Sequence, residues 1–284
     1  MTLVSTRELM QDAADRRSGI GAFNVVHLET AEALVTAAEH VVLPVILQIS
    51  QNCAAFHGGL EPVAMATLSL ARTASVPVAV HLDHAGDEDL AYQAIELGFG
   101  SIMFDGAHLS YDENVEITAR ITQYAHLRGV YVEAELGTIG GKDGAHAPGV
   151  RTDPDEARSF VLATGVDALA VAVGSSHAMS ERVASVDLEL IARLHEALAV
   201  PLVLHGSSGV ADRQIVAAIR AGMTKINVST HLVGIFTSSV RAYLAENETV
   251  IDSRRYVSPA RSNVAHEAAR LLRLFSLTAP LDLH

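Results

Sequence analysis

Eight short runs of apolar and β-branched residues alternate with helical stretches along the whole 284-residue chain. The runs lie at 20–25, 45–50, 78–84, 101–106, 130–136, 168–174, 202–206 and 225–229. Each is nearly continuous in apolar residues, as expected of a strand covered on both faces. Pro44, Pro77 and Pro201 stand just before apolar runs, where strands can begin. Between the runs, "LETAEALVTAAEHV" and "DENVEITARITQYAHLRG" have the spacing of amphipathic helices. "TDPDEARSFVLATG" opens with a capping pattern and closes on Gly165. Eight regular βα units in this length predict a (β/α)8 barrel, with an open doubly wound sheet as the rival. No linker or low-complexity stretch divides the chain, so residues 1–284 are expected to form one barrel domain. "RRYVSPARSNVAHEAARLLRLF" near the end predicts an added C-terminal helix outside the barrel.

Composition narrows the partners. Half the residues (49%) are apolar, which suits a globular chain rather than a disordered one. The net charge of −13 disfavours nucleic acid and anionic membrane surfaces, both of which require basic footprints. Cys53 is the only cysteine, so no internal disulfide can form, and a reducing compartment fits. The first residues contain no apolar signal-peptide core, and "VVLPVILQIS" is too short to cross a bilayer. A cytoplasmic location is expected. Lys142 and Lys225 are the only lysines, which restricts any Schiff-base chemistry.

In a barrel of this kind, catalytic groups gather at the C-terminal ends of the strands. The chain places its unusual polar residues there. Asn24 and Ser50 end the first two runs, and Asp83 and His84 end the third. Asp105 ends the fourth, and Glu133 and Glu135 close the fifth. His177 follows the sixth, His205 ends the seventh, and Asn227 and Ser229 end the eighth. A lone histidine at a strand end is more often a hydrogen-bonded rim residue than a ligand. Three histidines from three strand ends, with no cysteine nearby, suit a catalytic zinc site with one open position. His84, His177 and His205 are the candidates. His81 shares a strand face with Asp83, whereas His84 on a regular strand points the other way, so His81 is read as structural.

"HGSSG" (205–209) and "NVST" (227–230) follow the seventh and eighth strands, where barrels of this type commonly bind phosphate. Small residues there let backbone N–H groups approach an anion beside a helix N-terminus. "GTIGGKDG" (137–144) is read as a mobile active-site loop. Metal and phosphate at one barrel mouth point to chemistry beside the carbonyl of a sugar phosphate. There a Lewis acid stabilises an ene-diolate and a carboxylate, Asp83, moves a proton.

The chain resembles the class II, zinc-dependent ketose-bisphosphate aldolases that act on fructose- and tagatose-1,6-bisphosphate. The resemblance rests on "GAFNV", "PVILQIS", "PVAVHLDH", "GFGSIMFDGAHLSYDENV", "VEAELGTIGG", "LAVAVGSSH", "PLVLHGSSGV" and "TKINVST", spread over nearly the whole chain. It implies Asp83 as the catalytic acid/base, and His84, His177 and His205 as ligands of Zn2+. Asp105 and Glu135 then match carboxylates near the metal or its alternate position. Asn24 and Asn227 match contacts to the dihydroxyacetone-phosphate part of the substrate. Ser50, Gly206, Ser208, Ser229 and Thr230 match its phosphate region, with a monovalent cation (Na+ or K+) close by. Gly140, Gly141 and Asp143 belong to the expected mobile loop. The resemblance also implies a homodimer or homotetramer acting in carbohydrate metabolism such as glycolysis.

Four positions depart from the family pattern. Ala178 stands where glycine is usual, and the "GGKDG" loop is one residue short and lacks a glutamate. His231 replaces an acid after "NVST", and Ala107 replaces a serine. These changes fall near the substrate rather than the metal, so an aldolase with a less common aldehyde partner is expected. The rival readings are a Schiff-base aldolase using Lys225, which stands at the start of the eighth run and away from the mouth, a metallohydrolase, and a non-catalytic sugar-phosphate binder.

Overall fold

The computed structural model describes residues 2–136, 151–175, 182 and 184–278. Eight parallel strands close into a barrel in the order β1 to β8. They are β1 (Ile20–Asn24), β2 (Val45–Ser50), β3 (Val78–Ala85), β4 (Ser101–Phe104), β5 (Tyr131–Leu136), β6 (Ala168–Val171), β7 (Leu202–Leu204) and β8 (Met223–Val228). The helices are α1 (Thr6–Asp15), α2 (Leu28–Val41), α3 (Gln51–Phe56), α4 (Leu60–Thr73), α5 (Glu88–Glu96), α6 (Tyr111–His126), α7 (Pro154–Thr164), α8 (Leu188–Ala197), α9 (Asp212–Ala221), α10 (Thr230–Glu246) and α11 (Arg254–Phe275). The (β/α)8 barrel with an added C-terminal helix is thus the observed architecture. α11 packs chiefly against α2 and α10. α1, which the sequence pattern did not predict, precedes the barrel, and its Leu9, Met10 and Ala13 pack with Ile20, Ala22 and Ile46.

Local chemistry explains the helix ends. Asp153 caps α7 by accepting from the N–H groups of Asp155 and Glu156, with Pro154 in the first turn. Gly165 then stops α7 in a left-handed conformation, φ +69°. Ser110 and Glu113 form a reciprocal capping box at α6.

Strand alternation divides each run between two cores. On β3, Val78, Val80 and Leu82 face the helices, and Ala79 faces inward with Met103, Ala168 and Val203. The inward set begins with hydrophobic residues and ends in polar ones. His81 and Asp83 follow Ala79, Glu133 and Glu135 follow Tyr131, and Lys225 and Asn227 lie on β8. Both sets are buried, which is why the runs read as continuously apolar apart from these insertions.

Candidate active site

The strand ends deliver most of the sequence-predicted residues to one cavity of about 230 Å³. Asn24, Ser50, Asp83, His84, His205, Gly206, Ser208, Asn227, Ser229 and Thr230 all line it, together with Gln48 and Asn52. His177, Gly140, Gly141, Asp143 and Ala178 lie outside the described residues. A second cavity of about 290 Å³ lies where α1, β1 and the end of α11 meet, lined largely by apolar residues and without a histidine.

His84 reaches the cavity by breaking its strand. The β3–β4 register shifts between Leu82 and Ala85, and His84 takes a left-handed backbone, φ +51°. A non-glycine residue held in that region costs about 1–3 kcal/mol. The distortion removes the objection that adjacent residues of a regular strand face opposite ways. Asp83 and His84 both line the mouth, with Oδ1 and Nε2 4.0 Å apart.

The two histidines are oriented by carboxylates. His84 Nδ1 lies 2.7 Å from Asp105 Oδ2 and 3.8 Å from Glu135 Oε2. His205 Nε2 lies 2.9 Å from Glu133 Oε1. Both carboxylate partners of these bonds accept only, so each ring places its proton on that side. The remaining nitrogens, His84 Nε2 and His205 Nδ1, face each other at 2.9 Å. Two acceptor nitrogens this close repel unless a cation joins them. The donor set therefore fits a metal ion, for which carboxylate-backed imidazoles are ordinary ligands. Two groups of oxygen and nitrogen donors lie within 4.8 Å of one another: Asp83, His84 and His205, and His84, Asp105 and Glu135.

Asp83 is held by neutral amides. Asn24 Nδ2 donates to Oδ2 at 2.9 Å, and Gln48 Nε2 supports Asn24 Oδ1 at 2.7 Å. Among the described residues, Oδ1 has no hydrogen-bond partner. Burial raises the Asp83 pKa, but His84, His205, Lys225 and the Asn24 hydrogen bond outweigh it and bring the carboxyl to about 2. The group is a ready acceptor at any ordinary pH.

The opposite wall is built from backbone. Gly206 adopts φ +67°, which lets the chain turn directly from His205 into a short 3₁₀ turn, Ser207–Gly209. Ser207 Oγ donates to the Asn227 carbonyl, joining this turn to β8. α10 begins at Thr230, and its N-cap residue Ser229 makes no side-chain capping bond. Its first N–H groups and helix dipole therefore favour an anion at the cavity wall. His231 does not line this wall. Its N–H donates to Ser208 Oγ at 3.2 Å, and its ring bonds Glu267 of α11 at 2.7 Å.

Residues 4–279 match the model of the class-II fructose-bisphosphate aldolases. The chain belongs to that family. It is therefore a lyase of carbohydrate metabolism that cleaves a carbon–carbon bond by aldol chemistry, and the family is metal-dependent. A fructose-bisphosphate aldolase of Geobacillus stearothermophilus is 38% identical over 279 residues, covering 97% of each chain. A 6-phospho-5-dehydro-2-deoxy-D-gluconate aldolase of Bacillus licheniformis is 36% identical over 278 residues, 97% of this chain and 95% of its own. The crystal structure of the YdjI aldolase from Escherichia coli K12 superposes with a TM-score of 0.83 at 31% identity, covering 96% and 97%. No described helix of this class II aldolase is long and apolar enough to cross a membrane.

Three residues that matter to the site were not assigned by sequence reasoning. Gln48 supports Asn24, Glu133 orients His205, and Lys225 pairs with Glu133 at 2.7 Å. Lys225 is absent from the cavity lining, as its place at the start of the eighth run implies, yet it reaches the site from below. β8 begins two residues earlier than expected, at Met223, and Lys225 points inward beneath the cavity. A signal for all three was present: each stands two positions before an assigned strand-end residue, and so lies one pleat below it.

Proposed function

We propose that the chain, as one barrel domain spanning residues 1–284, carries out zinc-dependent reversible cleavage of a ketose 1,6-bisphosphate or related ketose 1-phosphate. The products are dihydroxyacetone phosphate and an aldehyde. One observation carries the reading: the ionised Asp83, whose Oδ1 has no hydrogen-bond partner among the described residues, stands beside two imidazoles whose acceptor nitrogens converge.

In this reading His84, His177 and His205 hold the ion, with Asp105 orienting His84 and Glu135 beside it. A bound zinc ion would act as a Lewis acid toward the substrate carbonyl. Asp83 Oδ1 takes the proton from the hydroxyl on the aldehyde side of the breaking bond. The electron pair of that carbon–carbon bond passes to the carbonyl, giving the ene-diolate of dihydroxyacetone phosphate, and the aldehyde departs. In synthesis Asp83 returns the proton to the new hydroxyl. Asn24 holds Asp83 in place, and Asn24 and Asn227 contact the dihydroxyacetone part. Ser50, Gly206, Ser208, Ser229 and Thr230 surround the phosphate, with Na+ or K+ nearby.

The Schiff-base alternative is disfavoured, because Lys225 is 1% exposed, bound to Glu133, and absent from the cavity lining. The near-equal identity to relatives named for different substrates favours a second reading, in which the substrate is another phosphorylated keto acid or sugar. Exposed apolar residues on α10, Val233 and Leu244, support a homodimer or homotetramer. The lone Cys53 supports a cytoplasmic location.

The test is a retro-aldol assay on a panel of ketose 1-phosphates and 1,6-bisphosphates, with zinc-loaded and chelator-stripped enzyme. Zinc-dependent release of dihydroxyacetone phosphate is expected. Turnover that survives metal removal, or covalent trapping on Lys225 by borohydride, would overturn it.

A further inference from the structure

We propose that Lys225 is a positioning residue for His205, acting through Glu133. The inference rests on the metal site of the preceding section and concerns which nitrogen of His205 that site can use.

An imidazole can carry its proton on either nitrogen, and only the unprotonated nitrogen can bind a metal. For His205 the choice is made by Glu133, whose Oε1 lies 2.9 Å from Nε2. The other oxygen of the same carboxylate, Oε2, lies 2.7 Å from Lys225 Nζ. His205, Glu133 and Lys225 are 0%, 1% and 1% exposed. A carboxylate in such a closed interior is costly without a cation, and an ion pair with good geometry offsets that cost.

The surrounding bonds among the described residues fit one set of protons once the Asn227 amide is turned. Lys225 also reaches His81 Nε2 at 3.3 Å, and an ammonium can only donate. His81 therefore accepts at Nε2 and donates from Nδ1 to Ser101 Oγ, 2.7 Å away. Ser101 in turn shares a 2.7 Å bond with Thr6 of α1. Burial and the neighbouring Lys225 hold the His81 pKa well below the usual histidine range, so the ring stays neutral as this scheme requires. Glu133 accepts from Lys225 at one oxygen and from His205 Nε2–H at the other. Asn227 Nδ2 lies 3.1 Å from the same Nε2, and among the described residues Asn227 Oδ1 has no hydrogen-bond partner. Turning the amide puts its oxygen toward the N–H, which Glu133 Oε1 and Asn227 Oδ1 then share. His205 Nδ1 is then an acceptor toward His84.

A merely structural lysine would fill space and balance charge without affecting the tautomer. The distinguishing prediction is that Glu133 needs an ammonium on Oε2 to remain an acceptor-only partner of His205. A neutral side chain in its place lets the pair adopt either proton arrangement.

The experiment measures the zinc affinity of reconstituted wild type and Lys225→Met by competition with a chromophoric chelator. The His205 tautomer is read by ¹⁵N imidazole NMR of the stripped proteins. Wild type is expected to hold zinc and show the Nε2–H form. Lys225→Met is expected to bind zinc about 10–100-fold more weakly, the range for lost orienting partners of metal ligands, and to show mixed tautomers. Unchanged affinity with the Nε2–H form retained overturns the proposal. If Lys225→Met does not fold, the double variant Lys225→Met/Glu133→Gln removes both charges together. It should fold yet still bind zinc at least tenfold more weakly, because a neutral amide can present either oxygen or NH₂ to Nε2. Wild-type affinity in the double variant also overturns the proposal. Wild type that binds no zinc in the same competition instead refutes the metal site itself.

Discussion

His84 Nε2 and His205 Nδ1 face each other at 2.9 Å, with their rings at 87°, although they are separated by 121 residues in the chain. The nitrogens that point away from this contact are bound to Asp105 and Glu133. The pair is thus a place for a cation, set by two carboxylates that do not themselves line the cavity.

Replacing His205 with alanine should remove most of the bound zinc and the activity with it, and His84→Ala should do the same. Metal content by atomic emission, with circular dichroism to establish folding, checks both. Full zinc occupancy in a folded His205→Ala protein contradicts the assignment. His177→Ala is expected to behave likewise.

Asp83→Ala should keep zinc and fold but cleave about 10²–10⁴-fold more slowly, the usual worth of a positioned acid or base. Exchange of the dihydroxyacetone-phosphate α-proton with solvent should suffer less than cleavage, since it does not break the carbon–carbon bond. Cleavage at near wild-type rate sinks the proposed role. Loss of zinc would instead make Asp83 a ligand, which its distance to the two imidazoles permits.

Ser208→Asp places a carboxylate in the cavity wall beside the start of α10. Like charges at close range in this wall should raise KM for a phosphorylated substrate by about tenfold or more. Steady-state kinetics at low salt gives the answer, and an unchanged KM counts against an anion site here.

Glu267 makes an acid-stability prediction outside the cavity. Burial raises its pKa, but Arg270 and His231 bind the carboxylate and bring it from 4.5 to about 2. A carboxyl lowered by folding adds stability that is fully present above its unfolded value. That stability is lost as pH falls through the folded value. Glu267→Gln should therefore lower Tm at pH 7, and the difference from wild type should shrink between about pH 5 and pH 2. A Tm gap that stays constant over that window excludes the ion pair as its source.

Much of this molecule was legible along the chain, and the reason is local. Apolar runs separated by capped helices specify eight βα units, because two-faced burial forces nearly continuous apolarity and helix ends carry their own signals, as Asp153, Pro154 and Gly165 do for α7. The strand-end polar residues stood out against those runs, so Asp83, His84, His205 and the loops after the seventh and eighth strands could be singled out from residue order alone. What only tertiary structure decided lies in the breaks and in the layer beneath. The left-handed turn at His84 and the β3–β4 register shift, not the regular alternation of the strand, bring His84 beside Asp83. His231, expected near the substrate, is drawn to Glu267 by a helix that begins 23 residues later. Lys225, Glu133 and His81 become neighbours only when barrel closure brings strands β3, β5 and β8 around one interior. Each of these contacts joins residues distant in sequence, and their bonds depend on angles and depths that residue order does not encode.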